Sequence, residues 1–205
     1  MIEDTGERVI PDKMKITNEL LIEHLARYHF ARQYVEGRIL DIACGSGYGS
    51  HILAKGGKAF VNEIIGVDKD PDIIRYARAT YYHPLTTFLE KDVTDPELPE
   101  QLGKFDLIIS FETIEHLKDD QIFLTNLYNM LKPDGTLILS TPFGEGRGKP
   151  SGVDFHVHQL TEAEFRELFV DYREVEFFYQ KGALITPAGY KSEIEFPLGI
   201  AVCRK

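Results

Sequence analysis

The chain has 205 residues, 43% of them hydrophobic and 27% charged, which is the composition of one globular domain. Its formal net charge of −10 excludes general binding to nucleic acid, because an acidic surface repels a phosphate backbone. Two cysteines and the lack of a long apolar run exclude a disulfide framework and membrane insertion, and make the cytoplasm the expected compartment.

Residues 1–36 predict a polar lead followed by one helix. The first twenty residues mix both charges and lack an apolar run, so we expect no signal peptide. Thr17 or Asn18 is a suitable N-cap for the helix, which ends before Gly37. We interpret this segment as a cover over the main domain, residues 37–205.

From Arg38 onward, short apolar runs alternate with helical segments. The runs are RILDIA, EIIGVD, TTFLEKD, FDLIISF and GTLILSTP. Because they are apolar throughout, they predict parallel strands buried on both faces. Asp70 followed by Pro71 marks the start of one intervening helix. The pattern predicts an α/β fold, a Rossmann-like doubly wound sheet with helices on both faces.

The last quarter of the chain departs from this alternation. TEAEFRELF predicts a helix in which Thr161 and Glu164 form a capping box. REVEFFYQ and FPLGIAVCRK then predict two strands with no helix between them. The connection over 182–195 is too irregular for a crossover helix, so we expect an antiparallel pair at one edge of the sheet.

A glycine-rich segment, LDIACGSGYGS at 40–50, follows the first predicted strand. Glycines at this turn let a ligand approach the backbone closely, and the next helix supplies unpaired N–H donors. Its glycines are Gly45, Gly47 and Gly49, and Ser50 stands where a dinucleotide-binding loop requires its third glycine.

Three aspartates follow three successive strands, and in open α/β sheets ligands bind at those strand ends. Asp41 precedes the glycine loop, where its charge would repel a pyrophosphate and attract an ammonium or a sulfonium. Asp68 lies where a carboxylate accepts hydrogen bonds from ribose hydroxyls. Asp92 can accept a hydrogen bond from an adenine amino group. Together they indicate a cationic nucleoside as the ligand.

These segments carry a family resemblance. LDIACGSGYG, GVDKDP, EKDV and FDLIISFETIEHL resemble motifs I to IV of the class I S-adenosylmethionine-dependent methyltransferases, including methyltransferase type 11 and ubiquinone-pathway enzymes. The resemblance implies a seven-stranded sheet of order 3-2-1-4-5-7-6 with strand 7 antiparallel. It implies S-adenosylmethionine as the cofactor, held by these residues: Asp41, Ala43, Gly45, Gly47, Asp68, Lys69, Asp92, Val93 and Ser110.

Shorter segments favour a sugar or another cell-surface building block as the methyl acceptor. TGERVIP, EHLARYHFA and HVHQLTEAEFRELF resemble a subset of the family that modifies such molecules. We therefore expect a small-molecule acceptor attacked at a hydroxyl oxygen. Ser110, Phe111 and Glu112 would line the opening where it meets the methyl group.

A hydroxyl acceptor requires a base, and His116 and His158 are the expected candidates, with His156 a further choice. An alternative use of the E-x-x-E-H segment is a divalent metal site formed by Glu112, Glu115 and His116, with His156 or His158 completing the shell, as in some O-methyltransferases of this class. The favoured interpretation has no metal, with Glu115 and His116 packing the turn after strand four.

Two other functions remain open on the sequence. A nicotinamide-dependent oxidoreductase would use the same fold, although Ser50 and Asp41 oppose a dinucleotide. A non-catalytic module could retain the S-adenosylmethionine-binding fold as a scaffold. Binding of adenosylhomocysteine in preference to NAD separates the first alternative from a methyltransferase.

Overall fold

An eight-stranded mixed sheet forms the centre of the computed structural model, which describes residues 8–57, 59–189 and 194–205. Within these residues the strands are β1 (Gly37–Ile42), β2 (Val61–Asp68), β3 (Thr86–Glu90), β4 (Phe105–Phe111), β5 (Leu131–Pro142), β6 (Glu174–Lys181), β7 (Leu184–Pro187) and β8 (Leu198–Arg204). The helices are α1 (Glu19–Ala31), α2 (Tyr48–Gly56), α3 (Pro71–Thr80), α4 (Leu98–Leu102), α5 (Asp120–Met130) and α6 (Glu162–Glu167). The predicted α/β class is confirmed.

The strand order is β3-β2-β1-β4-β5-β8-β6-β7. β1 to β5 run parallel, and β8 lies antiparallel between β5 and β6. This matches the expected order, with β8 in the place of the antiparallel strand 7. The parallel order brings the ends of β1, β2, β3 and β4 to one edge of the sheet, where the predicted site residues follow.

One strand was not predicted. β7 pairs with β6 as a hairpin inside the connection that the sequence indicated to be irregular, so the sheet has eight strands rather than seven. Gly182 supports the tight turn between them because its φ of +57° suits glycine. Residues 190–193 of the same connection lie outside the described part of the chain.

The predicted helix starts are confirmed by their capping bonds. The side chain of Asn18 accepts a hydrogen bond from the backbone N–H of Leu21, which settles the N-cap of α1. Asp70 accepts from the first turn of α3, with Pro71 at the first helical position. The capping box of Thr161 and Glu164 begins α6.

The two faces of the sheet are both buried, as apolar strands require. Ile39 and Ile109 point into a core shared with α1 and α2, whereas Leu40 and Ile108 point into a second core shared with α4 and α5. All four side chains are 0% exposed. No described helix combines the length and the apolar character that crossing a bilayer requires.

Candidate active site

The loop between β1 and α2 turns through left-handed conformations at Ala43, Gly45 and Gly47, with φ of +57°, +53° and +86°. A Cβ added at Gly45 would meet nothing within 4 Å, so this residue borders open space. A Cβ added at Gly47 would lie 2.7 Å from Ala77 and 2.8 Å from Phe88, so this glycine is needed for packing. The loop therefore presents an open backbone surface to a ligand at Gly45.

Asp68 lies beside that open surface, at the end of β2. Its Oδ2 accepts a hydrogen bond from the backbone N–H of Gly45 at 3.0 Å, and its Oδ1 accepts from the N–H of Asp70 at 3.0 Å. Burial raises the pKa of this half-buried carboxyl, although both hydrogen bonds favour the ionised form. Each carboxylate oxygen has a second lone pair available for a ligand hydroxyl.

Asp41 lies beneath the glycine loop, 1% exposed. Its Oδ1 accepts a hydrogen bond from the Tyr28 hydroxyl at 3.0 Å, and its Oδ2 accepts from the Ser50 hydroxyl at 2.6 Å. Burial raises the pKa of this carboxyl to about 6, against the opposing effect of these bonds. Because Asp41 is buried, unlike the partly exposed Asp68, we expect it to act on a ligand above the loop through its charge.

The residues expected at the adenine follow β2 and β3. Asp92 is exposed, and its Oδ1 accepts hydrogen bonds from the N–H and the hydroxyl of Thr94, which lowers its pKa. Lys69 is exposed, whereas Val93 is buried. Asn126 donates a hydrogen bond to the Val93 carbonyl at 3.0 Å and fixes the loop after β3.

The end of β4 carries two polar residues. The Ser110 hydroxyl is buried and has no hydrogen-bond partner among the described residues. Glu112 has a φ of +49° and forms an ion pair with Arg27 of α1, and the Nε2 of His24 lies 3.4 Å from the same carboxylate. Burial disfavours the ionised Glu112, but Arg27 and then His24 outweigh burial and lower its pKa to about 2.

Glu115 follows Glu112 by three residues, within the short 3-10 turn Ile114–His116, and is buried at 1% exposure. Its Oε2 accepts a hydrogen bond from the Thr141 hydroxyl at 2.9 Å, and its Oε1 has no partner within the described structure. Burial, followed by repulsion from Glu112, raises the pKa of Glu115 to about 8. The carboxyl is therefore mostly protonated at neutral pH.

One group of side chains offers ligand atoms for a metal ion. Atoms of Glu115, His116 and His156 lie within 4.8 Å of one another. Glu112, which the sequence alternative included, is not in this group, because its carboxylate faces α1. His156, which the alternative offered as a completing ligand, stands in its place. A cation bound there would require Glu115 in its ionised form, which burial disfavours.

The two candidate bases occupy different surroundings. The Nδ1 of His116 lies 3.0 Å from the Phe155 carbonyl oxygen, and since a carbonyl only accepts, Nδ1 carries the proton and Nε2 the lone pair. His158 is 6% exposed, with its Nε2 3.7 Å from Asp120, and burial lowers its pKa. His116 is half-buried, whereas His158 lies inside the protein.

The described part of the N-terminal segment contacts the glycine loop. The Ser46 hydroxyl donates a buried hydrogen bond to the Val9 carbonyl at 2.8 Å. Arg8 forms an ion pair with Asp70 at 2.8 Å. The segment therefore contacts both the loop and the start of α3, while residues 1–7 of the predicted cover lie outside the described residues.

The sequence analysis did not assign Arg27 to the site. Arg27 is 0% exposed and lies on the buried face of α1 with Leu21, Tyr28 and Ala31. An arginine within the apolar face of a helix was the available signal, because a buried cation requires a partner. The partner, Glu112, is 85 residues away in sequence and could not be identified from the pattern.

The sequence is similar to those of known methyltransferases. A family model described as a methyltransferase domain matches residues 35–176. A Mycolicibacterium smegmatis protein named "Probable S-adenosylmethionine-dependent methyltransferase" is 31% identical over 169 residues, which cover 80% of this chain and 62% of the relative. An Azorhizobium caulinodans ubiquinone biosynthesis O-methyltransferase is 30% identical over 132 residues, covering 64% of this chain and 51% of the relative.

A solved structure adds support for the fold. The plantazolicin methyltransferase BpumL in complex with SAH superposes with a TM-score of 0.62 at 14% identity, covering 89% of this chain and 81% of that chain. The chain spans only about three-fifths of the length of the Mycolicibacterium smegmatis relative, 62% of which is matched. With the family model covering most of its length, the chain belongs to the S-adenosylmethionine-dependent methyltransferases.

Proposed function

We propose that the protein transfers the methyl group of S-adenosylmethionine to a hydroxyl oxygen of a small-molecule acceptor. The observation that carries the proposal is the position of Asp68, whose carboxylate borders the open face of the glycine loop at Gly45. This arrangement suits a nucleoside whose ribose hydroxyls donate to a carboxylate while the rest of the molecule lies over the loop backbone.

Charge at the crevice favours this cofactor over a dinucleotide. Asp41 and Asp68 end neighbouring parallel strands, and each raises the energy of a nearby anion. An opposite charge about 4 Å from one of them gains about 4 kcal/mol at the effective dielectric of a protein surface. In the proposal, the amino-acid end of the cofactor lies over Ala43 and Gly45, and the adenine lies at Lys69, Asp92 and Val93.

The proposed reaction is an in-line displacement. The acceptor oxygen attacks the methyl carbon from about 3 Å, the carbon–sulfur bond breaks, and its electron pair neutralises the sulfonium. Ser110 and Glu112 border the position of the methyl group at the end of β4. The N-terminal segment that contacts Ser46 closes the crevice and excludes competing water.

We assign the general base to His116. Its Nδ1–H is oriented by the Phe155 carbonyl, which directs the proton-accepting lone pair to Nε2. The acceptor hydroxyl transfers its proton to that atom as the new carbon–oxygen bond forms. His158 remains the alternative base, reached only if the loop carrying it moves, because its ring is buried against Asp120.

The test is methyl transfer from a trideuteromethyl-labelled cofactor to sugar, phenol and amine acceptors, read by mass spectrometry. We expect labelled O-methyl products. His116→Ala should lower kcat by about 10²- to 10⁴-fold, the usual contribution of a general base, and leave the Kd for adenosylhomocysteine within about threefold. His29→Ala, at an exposed position on α1, is the control. Labelled N-methyl products alone would contradict the hydroxyl assignment.

Metal removal gives a separate prediction. Because the proposed base is an imidazole that takes the proton of the acceptor hydroxyl without a metal, we expect methyl transfer at pH 7 to continue in excess EDTA. Rates with and without chelator should agree within about twofold. A different result would assign a metal to the group of Glu115, His116 and His156. In that case the activity would be lost on chelation and restored by Mn²⁺, and His156→Ala would be inactive.

A further inference from the structure

We propose that Tyr28 is a positioning residue for cofactor binding, because its hydroxyl holds the Asp41 carboxylate in the ionised form beneath the glycine loop. The inference rests on the proposed binding of S-adenosylmethionine above that loop. Tyr28 belongs to α1, which shares a core with α2, so this helix supplies a hydrogen bond to the charge proposed to attract the cofactor.

The geometry joins three elements through one carboxylate. Tyr28 donates to Oδ1 of Asp41 from α1, and Ser50 donates to Oδ2 from the first turn of α2. Both donors are neutral hydroxyls, and both bonds are buried. Ser50 stands where a dinucleotide-binding loop has its third glycine, and its hydroxyl donates the hydrogen bond to Asp41 that a glycine could not provide.

The Tyr28 ring is held in place by close packing. It lies edge-on to Tyr48 at 5.4 Å and to Phe111 at 5.1 Å between ring centroids. A Cβ added at Gly49 would lie 1.9 Å from the same ring, so Gly49 is needed for the contact with α1 rather than for a ligand. The hydroxyl of Tyr28 therefore has one position, on Asp41.

Among the described residues, the main interactions of Asp41 are with neutral donors and with another carboxylate, and none of them is with a cation. Tyr48 of α2, Cys44 of the loop and Asp68 of β2 face it besides Tyr28 and Ser50. Repulsion from Asp68 adds to the cost of burial, whereas the hydroxyls of Ser50 and Tyr28 and the backbone N–H of Ser50 favour the anion. A cofactor ammonium above the loop would supply the missing positive charge.

Protons and the cofactor cation should therefore compete for the same carboxylate. Burial places the pKa of Asp41 at about 6, and a bound cation lowers it. Below this pKa the neutral carboxyl no longer attracts the ammonium, so affinity should fall as the pH falls. Removing a hydroxyl donor raises the pKa, and affinity should then be lost at a higher pH.

The test is calorimetric titration with adenosylhomocysteine, which retains the ammonium, between pH 5 and pH 8. For the wild-type protein we expect the Kd to rise as the pH falls through about 6, by up to tenfold per unit. In Tyr28→Phe the pH at which this rise in Kd begins should be higher by about half to one unit, which is the effect of losing one hydrogen bond. Ser50→Ala should shift it in the same direction.

Two further variants serve as references. Tyr48→Phe removes a buried neighbouring hydroxyl that does not donate to Asp41 and should leave the pH at which the Kd begins to rise unchanged. Asp41→Asn should bind weakly, with an affinity that no longer changes in this pH range. Thermal unfolding of each variant establishes that it is folded, and Ser50→Ala decides the question if Tyr28→Phe does not fold.

The outcomes separate this inference from the proposed function. If the donor variants weaken binding equally at every pH, their role is only structural and the inference is overturned. A wild-type Kd that is constant from pH 5 to pH 8 overturns it as well, while the proposed function stands. If the wild-type protein binds no adenosylhomocysteine at any pH, the proposed function itself fails.

Discussion

Asp68→Ala should lower the affinity for adenosylhomocysteine by at least about 100-fold. Two ribose hydroxyls that donate to one carboxylate form two charge-assisted hydrogen bonds, each contributing about 1.5–3 kcal/mol. The substitution also leaves the N–H groups of Gly45 and Asp70 without their acceptor, so the loop loses its fixed position. Isothermal titration at pH 7.5 measures the effect.

A comparison of variants separates these two contributions. Asp68→Asn retains one acceptor oxygen and the size of the side chain, so its loss of affinity should be smaller than that of Asp68→Ala. Asp72→Ala, on the neighbouring helix and partly exposed in an ion pair with Arg75, is the matched control and should bind as the wild type does. An Asp68→Ala protein that retains wild-type affinity within threefold would refute the ribose assignment.

Arg27→Met should destabilise the protein by about 3 kcal/mol, because it removes the buried cation of an ion pair and leaves the Glu112 carboxylate, which is 22% exposed, with the longer contact to His24. The methionine retains much of the apolar contact area of the arginine stem. Urea unfolding at pH 7 measures the change, and a second substitution, Glu112→Gln, should restore part of the loss. Arg75→Ala, which removes a surface pair with Asp72, should cost less than about 1 kcal/mol.

The effect of Arg27→Met should depend on pH in a defined direction. The pKa of Glu112 is lowered from 4.5 to about 2 in the folded protein, so its ionisation stabilises the fold above pH 4.5. This contribution is lost as the pH falls from 4.5 towards 2. The difference between wild type and variant should therefore be largest near neutral pH and shrink in acid. A difference that is constant from pH 7 to pH 3 would show that packing, not charge, explains the loss.

The features that the sequence predicts well are those set by neighbouring residues. Uninterrupted apolar runs predict strands buried on both faces, and the cores on either side of Ile39 and Leu40 bear this out. The caps at Asn18 and Asp70 are likewise local, since a side chain satisfies N–H groups two or three residues away. The glycine loop is predicted because the left-handed backbone at Gly45 and Gly47 favours glycine.

The features that the sequence does not predict depend on distant residues. Asp41 is identified as a charge beside the loop, but its burial follows from Tyr28 and Ser50 on two helices that close over it. β7 escaped prediction because an edge strand of four residues carries too short a pattern to distinguish from a loop. The direction of the Glu112 carboxylate depends on Arg27, which the chain brings close only in the folded state.

The most direct test of the account is a crystal structure determined after soaking with adenosylhomocysteine and, separately, with NAD. The account predicts density for the nucleoside over Gly45, with the ribose hydroxyls within hydrogen-bond distance of Asp68, and none for NAD. A dinucleotide bound across the glycine loop, with its diphosphate above Asp41, would contradict it.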